Sequence, residues 1–114
     1  FIHRVAELVE AAGKKMGGWS EIMDGGELPS GTVVFSWIGL DHGIAAARKG
    51  LPVVMMPGEY CYFDMGQTPL ERGHYWAGMV PTEKAYAFNP LIPDSLKPAE
   101  RKNVLGVEGR SGRK

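Results

Sequence analysis

Two phenols and a carboxylate occupy alternate positions of one short segment, at Tyr60, Tyr62 and Asp64. If the chain is extended here, alternate side chains point to the same face, so these three side chains would form one wall. Hydroxyl and carboxylate groups bind the polar groups of a ligand through directed hydrogen bonds. The wall follows residues 52–56, an apolar and β-branched run that predicts a buried strand. Ligand sites in parallel α/β sheets form just beyond the carboxyl ends of strands, and we therefore expect a pocket here.

Two tryptophans also lie at the ends of predicted strands. Residues 32–37 are β-branched and aromatic, which makes them the clearest predicted strand, and they end on Trp37. Residues 15–22 predict a shorter strand, weakened by its glycines, with Trp19 and Glu21 towards its far end. Indole faces exclude water and stack on flat apolar surfaces, although burial in the core is the commoner role of a tryptophan when only its residue type is known.

Two amphipathic helices are expected to support these strand ends. Apolar residues recur every three or four positions over residues 2–12, which predicts a helix that ends near Gly13. Residues 44–49 predict a second helix, with Asp41 as its amino-terminal cap. Gly50 follows that helix, where a left-handed residue is commonly needed.

The order of these elements predicts a parallel sheet. Strand, helix and strand follow one another closely enough for a right-handed crossover. Beyond them we expect a long loop over residues 65–78, a short helix over residues 81–88 with Pro81 in its first turn, an interruption by Pro90, Pro93 and Pro98, and a last strand over residues 102–107. The predicted fold class is therefore α/β, a partial (β/α) barrel of the TIM type with about four parallel strands and crossover helices. Such a half-barrel has two open edges.

Composition sets limits on partners and cofactors. The 114 residues suit one domain, and 13 basic residues balance 13 acidic residues, which gives no reason to expect nucleic acid or a membrane surface as a partner. Cys61 is the only cysteine, so it can form no internal disulfide, and we expect it to act as a small buried apolar residue. The three histidines lack the spacing of metal ligands. We expect no metal and no cofactor, and the compartment is undetermined.

Several short motifs are informative in their order and spacing. They are Trp19-Ser-Glu, Phe35-Ser-Trp, Pro57-Gly-Glu-Tyr-Cys-Tyr-Phe-Asp, Pro81-Thr-Glu-Lys-Ala-Tyr-Ala-Phe-Asn-Pro and Lys102-Asn-Val-Leu-Gly-Val. Through these motifs the chain from residue 1 to about residue 107 resembles the second half of the catalytic barrel of the family-20 glycoside hydrolases, the β-N-acetylhexosaminidases. The resemblance implies half of a (β/α)8 barrel over residues 1–107, followed by a flexible tail over residues 108–114.

The resemblance implies a role for four side chains. Trp19 and Trp37 would wall the small apolar pocket for the acetamido methyl group of the sugar. Tyr62 would hold the acetamido carbonyl oxygen with its hydroxyl, and it is the one catalytic residue that the resemblance places in this chain. Asp64 would accept hydrogen bonds from sugar hydroxyls remote from the reacting carbon. The resemblance assigns no role to Glu21 or Tyr60, although both are expected near the same rim.

In this family the reaction is substrate-assisted and retains configuration. The acetamido oxygen attacks the anomeric carbon to form an oxazolinium intermediate, while a glutamic acid protonates the leaving group and a preceding aspartate orients the acetamido nitrogen. No Asp-Glu dipeptide occurs in these 114 residues. An arginine of the first strand and a tryptophan and a glutamate of the last strand are also absent. The resemblance therefore implies that most of the sugar-binding residues are present in these 114 residues, whereas the glutamic acid that protonates the leaving group is not.

Three hypotheses follow from this pattern. The first is part of a β-N-acetylhexosaminidase that acts on terminal β-linked N-acetylglucosamine or N-acetylgalactosamine. The second is a half-barrel that forms homo-oligomers through its open edges and at most binds an N-acetyl sugar. The third is a structural remnant without a ligand. Asp41-His42 with Ser36 or Cys61 would be a nucleophilic site only if the fold brought them together.

Overall fold

A parallel sheet in chain order forms the centre of the computed structural model, which describes residues 1–92 and 94–112. Within those residues the sheet has four strands, and each strand pairs in parallel with the next along the chain. This confirms the predicted α/β class with about four parallel strands. The strands are β1 (Gly17–Trp19), β2 (Val33–Ser36), β3 (Val53–Met55) and β4 (Val104–Val107).

Short helices connect the strands and cover the sheet. The described helices are α1 (Ile2–Ala11), a 3-10 helix (Ser20–Gly25), α2 (Asp41–Arg48), α3 (Gly58–Cys61), α4 (Thr82–Tyr86) and α5 (Pro98–Arg101). None of the helices in the described residues combines the length and the apolar character needed to cross a membrane.

The two inner strands are fully buried on the face that helix α2 covers, and burial alternates along each strand. Val34, Val53 and Met55 are fully buried, as expected for β-branched and apolar residues in central parallel strands. Helix α2 packs on one face through the small side chains Ala46 and Ala47. This close approach explains why two of the residues that face the sheet are alanines.

Helix α2 differs from the prediction at its start and agrees with it at its end. Asp41 is the first helical residue, preceded by Leu40, and no side chain caps the helix, so the prediction of Asp41 as a cap is wrong. Its negative charge instead lies in the first turn, where it complements the helix dipole. Gly50 has a φ of +81°, and the prediction of a left-handed residue there is confirmed.

The segment after β3 is helical rather than extended. Pro57 precedes the short helix α3, and the Cys61 amide donates to the Pro57 carbonyl at 2.8 Å. A helical turn rotates successive side chains by about 100°, so Tyr60 does not share a face with Tyr62 and Asp64. The expectation of one extended wall of three residues is wrong for this reason.

The other boundaries shift by a few residues. The strand expected over residues 15–22 is limited to β1, because the chain turns into the 3-10 helix and brings Ile22 over Gly18, where a Cβ atom on the glycine would lie 2.7 Å from the Ile22 side chain. The short helix and the last strand are both observed, as α4 and β4, and each is shorter than predicted. Pro93 lies outside the described residues.

The end of the chain is partly tied to the sheet. Glu108 donates its backbone N–H to the Met55 carbonyl at 3.1 Å, and Arg110 exchanges backbone hydrogen bonds with the segment that carries Tyr62. Residues 108–110 therefore continue the packing of β4, and a flexible tail stays a prediction only for the residues that follow. Arg113 and Lys114 lie outside the described residues.

Cys61 allows a test of this packing by pH. The thiol is buried beside Tyr62, and burial, with a smaller contribution from Glu59, raises the pKa of Cys61 from 9.0 to about 11. Above pH 9 the thiol of the unfolded chain ionises first, so the free energy of unfolding should fall by roughly 1.4 kcal/mol per pH unit as the pH rises towards 11.

Denaturant unfolding across this pH range measures the slope. Cys61→Ala should have a shallower slope than the native chain, and comparing the two removes the contribution of the lysines and tyrosines that titrate in the same range. Identical slopes would show that the thiol is as well solvated in the folded state as in the unfolded state.

Candidate functional site

An open pocket of about 800 Å³ lies at the carboxyl ends of the strands. The four residues with predicted roles, Trp19, Trp37, Tyr62 and Asp64, all line it, whereas Tyr60 does not. The parallel order of β1, β2 and β3 explains this arrangement, because the segment after each strand begins at the same edge of the sheet. The remaining lining residues are Ile2, Gly18, Glu21, Ile22 and Arg110.

Trp37 is held in a fixed orientation by a carboxylate. Its indole N–H donates to both carboxylate oxygens of Glu21, each at 3.1 Å. Trp76, from the long loop after Asp64, contacts the Trp37 ring edge-on with ring centroids 6.0 Å apart. The same indole contacts the Tyr62 ring edge-on at 5.5 Å. Trp37, Trp76 and Tyr62 therefore form one continuous aromatic wall.

Trp19 forms the outer part of the pocket. Its ring contacts Phe35 of the neighbouring strand edge-on, with centroids 6.1 Å apart, and 47% of the residue remains exposed. The guanidinium carbon of Arg110 lies 5.8 Å from the centroid of the Trp19 ring. An indole that is held on one side and open on the other can stack on a flat apolar face of a ligand.

Tyr62 is a protonated donor across the neutral range. Only 7% of this residue is exposed, and burial raises the pKa of its phenol above the usual 10.0. The charge of Arg110 and a side-chain hydrogen bond with it lower the pKa, while the charges of Asp64 and Glu108 raise it. Because burial is the largest effect, the hydroxyl keeps its proton and is able to donate it to a ligand oxygen.

Asp64 supplies an acceptor to the same pocket. Its Oδ1 atom is buried and has no hydrogen-bond partner among the described residues. A buried carboxylate oxygen without a partner is costly. Asp64 nevertheless lines the pocket, and an ionised carboxylate is an acceptor only. The pocket therefore combines an aromatic wall, a phenol donor and a carboxylate acceptor.

Two residues of this region have no counterpart in the sequence-based prediction. Arg110 was assigned to a flexible tail, and no spacing in the sequence indicates that its side chain reaches Trp19 and Tyr62. Trp76 lies in the predicted long loop, but neither its position in the loop nor its residue type indicates that it contacts Trp37 and Tyr62.

Tyr60 and the residues of the suggested nucleophilic site do not line the pocket. Tyr60 stacks on Phe88 with centroids 4.7 Å apart, and the Lys84 ammonium lies 5.2 Å from its ring centroid. The hydroxyl of Ser36 and the Nδ1 atom of His42 are both buried without a hydrogen-bond partner among the described residues, so they do not pair with each other. The structure does not bring the Asp41-His42 pair and Ser36 together as a triad.

Comparison with known proteins matches this chain to one family of enzymes. Residues 1–111 match the sequence model of glycosyl hydrolase family 20, catalytic domain. A beta-hexosaminidase of Vibrio furnissii is 35% identical over 102 residues, which are 88% of this chain and 17% of that protein. A beta-hexosaminidase of Porphyromonas gingivalis is 40% identical over 110 residues, which are 95% of this chain and 14% of that protein.

The similarity extends to three-dimensional structure. The family-20 exo-beta-N-acetylglucosaminidase of Vibrio harveyi, solved in complex with N-acetylglucosamine, superposes with a TM-score of 0.82 at 32% identity. The superposition covers 97% of this chain and 18% of that enzyme. The chain thus spans less than a fifth of the length of each of these relatives.

Replacing Glu21 by alanine should release the Trp37 indole, since both acceptors of its N–H are lost. The Trp37 indole N–H resonance in a two-dimensional NMR spectrum should shift and broaden. The free energy of unfolding should fall by only about 1 kcal/mol, because the hydrogen bond is exposed. Glu21→Gln keeps one side-chain oxygen and should leave the resonance near its native position. An unchanged resonance in Glu21→Ala would mean that Trp76 alone holds the indole.

Proposed function

We infer that this chain, which belongs to glycosyl hydrolase family 20, forms the sugar-recognition wall of a β-N-acetylhexosaminidase active site. One observation carries the proposal: Trp19, Trp37, Tyr62 and Asp64 line a single pocket at the carboxyl ends of a parallel sheet. Each is a residue type suited to one part of an N-acetyl sugar. The substrate class is a glycan with a terminal β-linked N-acetylglucosamine or N-acetylgalactosamine.

The two sides of the pocket recognise different parts of the sugar. Trp19 and Trp37 exclude water around the acetamido methyl group. This apolar group binds more favourably between the indole rings than at a surface that stays hydrated. Tyr62 donates its hydroxyl proton to the acetamido carbonyl oxygen. Asp64 lines the pocket and accepts a hydrogen bond from a sugar hydroxyl at its carboxylate. The pocket therefore selects an N-acetyl sugar over one that lacks the acetamido group.

The same contacts support a substrate-assisted reaction. In this mechanism the acetamido oxygen attacks the anomeric carbon, the bond to the leaving-group oxygen breaks, and an oxazolinium intermediate forms. Water then attacks the anomeric carbon of this intermediate, so hydrolysis proceeds with retention of configuration. Tyr62 and the two indoles hold the acetamido group in the position for attack, which lowers the entropic part of the barrier. The chain contains no Asp-Glu dipeptide, so the acid that protonates the leaving group comes from another part of the assembled enzyme in this proposal.

Removing only the Tyr62 hydroxyl tests the proposed recognition. Tyr62→Phe should weaken binding of N-acetylglucosamine by the purified protein about tenfold, the equivalent of one buried hydrogen bond, when measured by calorimetry. Binding of glucose, which lacks the acetamido group, should change little. Tyr86→Phe is the matched control, because Tyr86 is 93% exposed. Equal affinities of the Tyr62→Phe and native proteins for N-acetylglucosamine would refute the assignment.

A second candidate is a self-associating half-barrel that binds an N-acetyl sugar without hydrolysing it. One observation favours it: among the described residues β4 pairs with no strand beyond β3, and Leu105 and Val107 of β4 are 63% and 53% exposed. Unpaired backbone groups and exposed apolar side chains at one edge are covered when a second copy, or another part of a barrel, packs there.

Sedimentation across a range of protein concentrations tests this association. Leu105→Lys should shift the protein towards the monomer, because it places a charge on the edge that would be buried. Leu8→Lys changes a residue of α1 that is 58% exposed and should have little effect. A protein that stays monomeric at every concentration would exclude the self-associating half-barrel.

A further inference from the structure

Arg110 lies directly beside Tyr62 because the two backbones are hydrogen-bonded. The Arg110 amide donates to the Cys61 carbonyl at 2.9 Å, and the Phe63 amide donates to the Arg110 carbonyl at 2.7 Å. These bonds form a parallel bridge between Tyr62 and Arg110. Neighbouring residues in a parallel bridge project their side chains to the same side, and both residues line the pocket.

The guanidinium of Arg110 is held against two aromatic rings. Its central carbon lies 5.8 Å from the ring centroid of Tyr62 and 5.8 Å from that of Trp19. Asp64 lines the same pocket, and Glu108 precedes Arg110 by two residues. Within the described residues no carboxylate comes within ion-pair distance of Arg110. The cation is therefore held against the two aromatic rings.

We propose that Arg110 is a positioning residue that directs the Tyr62 hydroxyl towards the acetamido group of the sugar. A phenol carries one donor and can also accept, whereas a guanidinium only donates. When Arg110 donates to the phenolic oxygen, the only hydrogen bond that the Tyr62 proton can still make is to an acceptor in the pocket. The Oδ1 atom of Asp64 accepts no hydrogen bond from the phenol. The ligand carbonyl is therefore the acceptor, and this inference rests on the function proposed above.

The electrostatic effect of Arg110 acts in the same direction. Burial raises the pKa of Tyr62, and the charge and hydrogen bond of Arg110 partly oppose that rise. A phenol whose oxygen accepts from a cation is more polarised and donates a stronger hydrogen bond, as in other hydrogen-bond chains. Arg110 thereby strengthens the one contact that distinguishes an N-acetyl sugar from other sugars.

A double-mutant cycle with Tyr62 tests this proposal. Arg110→Met keeps most of the side-chain length and removes the donors, and it should weaken N-acetylglucosamine binding about fivefold in calorimetry. In the Tyr62→Phe background the same change should have no further effect, because there is no hydroxyl to direct. Arg110→Lys keeps the charge and should restore part of the lost affinity. Arg4→Met, at an exposed arginine paired with Glu7, is the control and should bind as the native protein does.

NMR titration of isotope-labelled tyrosine provides a readout that does not depend on the sugar. The Tyr62 pKa should be higher in Arg110→Met than in the native protein, because the opposing cation is gone. An unchanged Tyr62 pKa, or an equal loss of sugar affinity with and without the Tyr62 hydroxyl, would overturn the proposal. Tighter sugar binding by Arg110→Met would also overturn it, since Arg110 would then be an occupant of the pocket. A native protein that does not bind N-acetylglucosamine would instead refute the function on which the proposal rests.

Discussion

The pocket depends on the parallel pairing of the strands in chain order. Trp19 pairs with Phe35 and Ser36 pairs with Met55, so the carboxyl ends of β1, β2 and β3 meet at one edge. Trp19 is the last residue of β1, Trp37 directly follows β2, and Tyr62 and Asp64 follow β3 after the short helix α3. The pairing depends in turn on the burial of the inner strands, where Val34 and Val53 are fully enclosed. A change in strand register would reverse the faces of these side chains and disperse the aromatic wall.

The wall is rigid because its members hold one another. Glu21 fixes the direction of the Trp37 indole, and Trp76 contacts both Trp37 and Tyr62 edge-on. In the proposed function, a sugar meets rings that are already oriented, which reduces the entropy lost on binding. The close approach of Trp76 also requires Gly58, because a Cβ atom there would lie 2.8 Å from the indole. Recognition is thus prepared by contacts between segments that are distant along the chain.

The division between recognition and acid catalysis follows from which strands the chain contains. These strands place a phenol, a carboxylate and indoles around one volume, and in the proposed function these groups bind and orient a sugar. The glycosidic bond additionally needs a proton for its leaving group. Family 20 takes that proton from an Asp-Glu pair, which this sequence lacks. The open edge of β4, with Leu105 and Val107 exposed, is where further structure would pack.

The periodicity and composition of the sequence determine the helices and strands of this protein, and they determine that the strands end at a common edge of the sheet. The β-branched residues of β2, Gly50 after α2, and the position of Trp37 at a strand end are all readable from neighbours in the sequence. The parallel order then makes it predictable that Trp37, Tyr62 and Asp64 lie together, because parallel strands end at a common edge.

Tertiary structure alone decided three other features of the site. The helical turn over Gly58–Cys61 moves Tyr60 away to stack on Phe88, and the long loop brings Trp76 behind the wall. Backbone hydrogen bonds bring Arg110 from the end of the chain to Tyr62. The positions of Trp76 and Arg110 arise from contacts between distant segments, whose free energy depends on how the whole chain packs, and no local spacing encodes them. The turn itself is closed by a local hydrogen bond from Cys61 to Pro57, and the fold then decides that Tyr60 packs on Phe88.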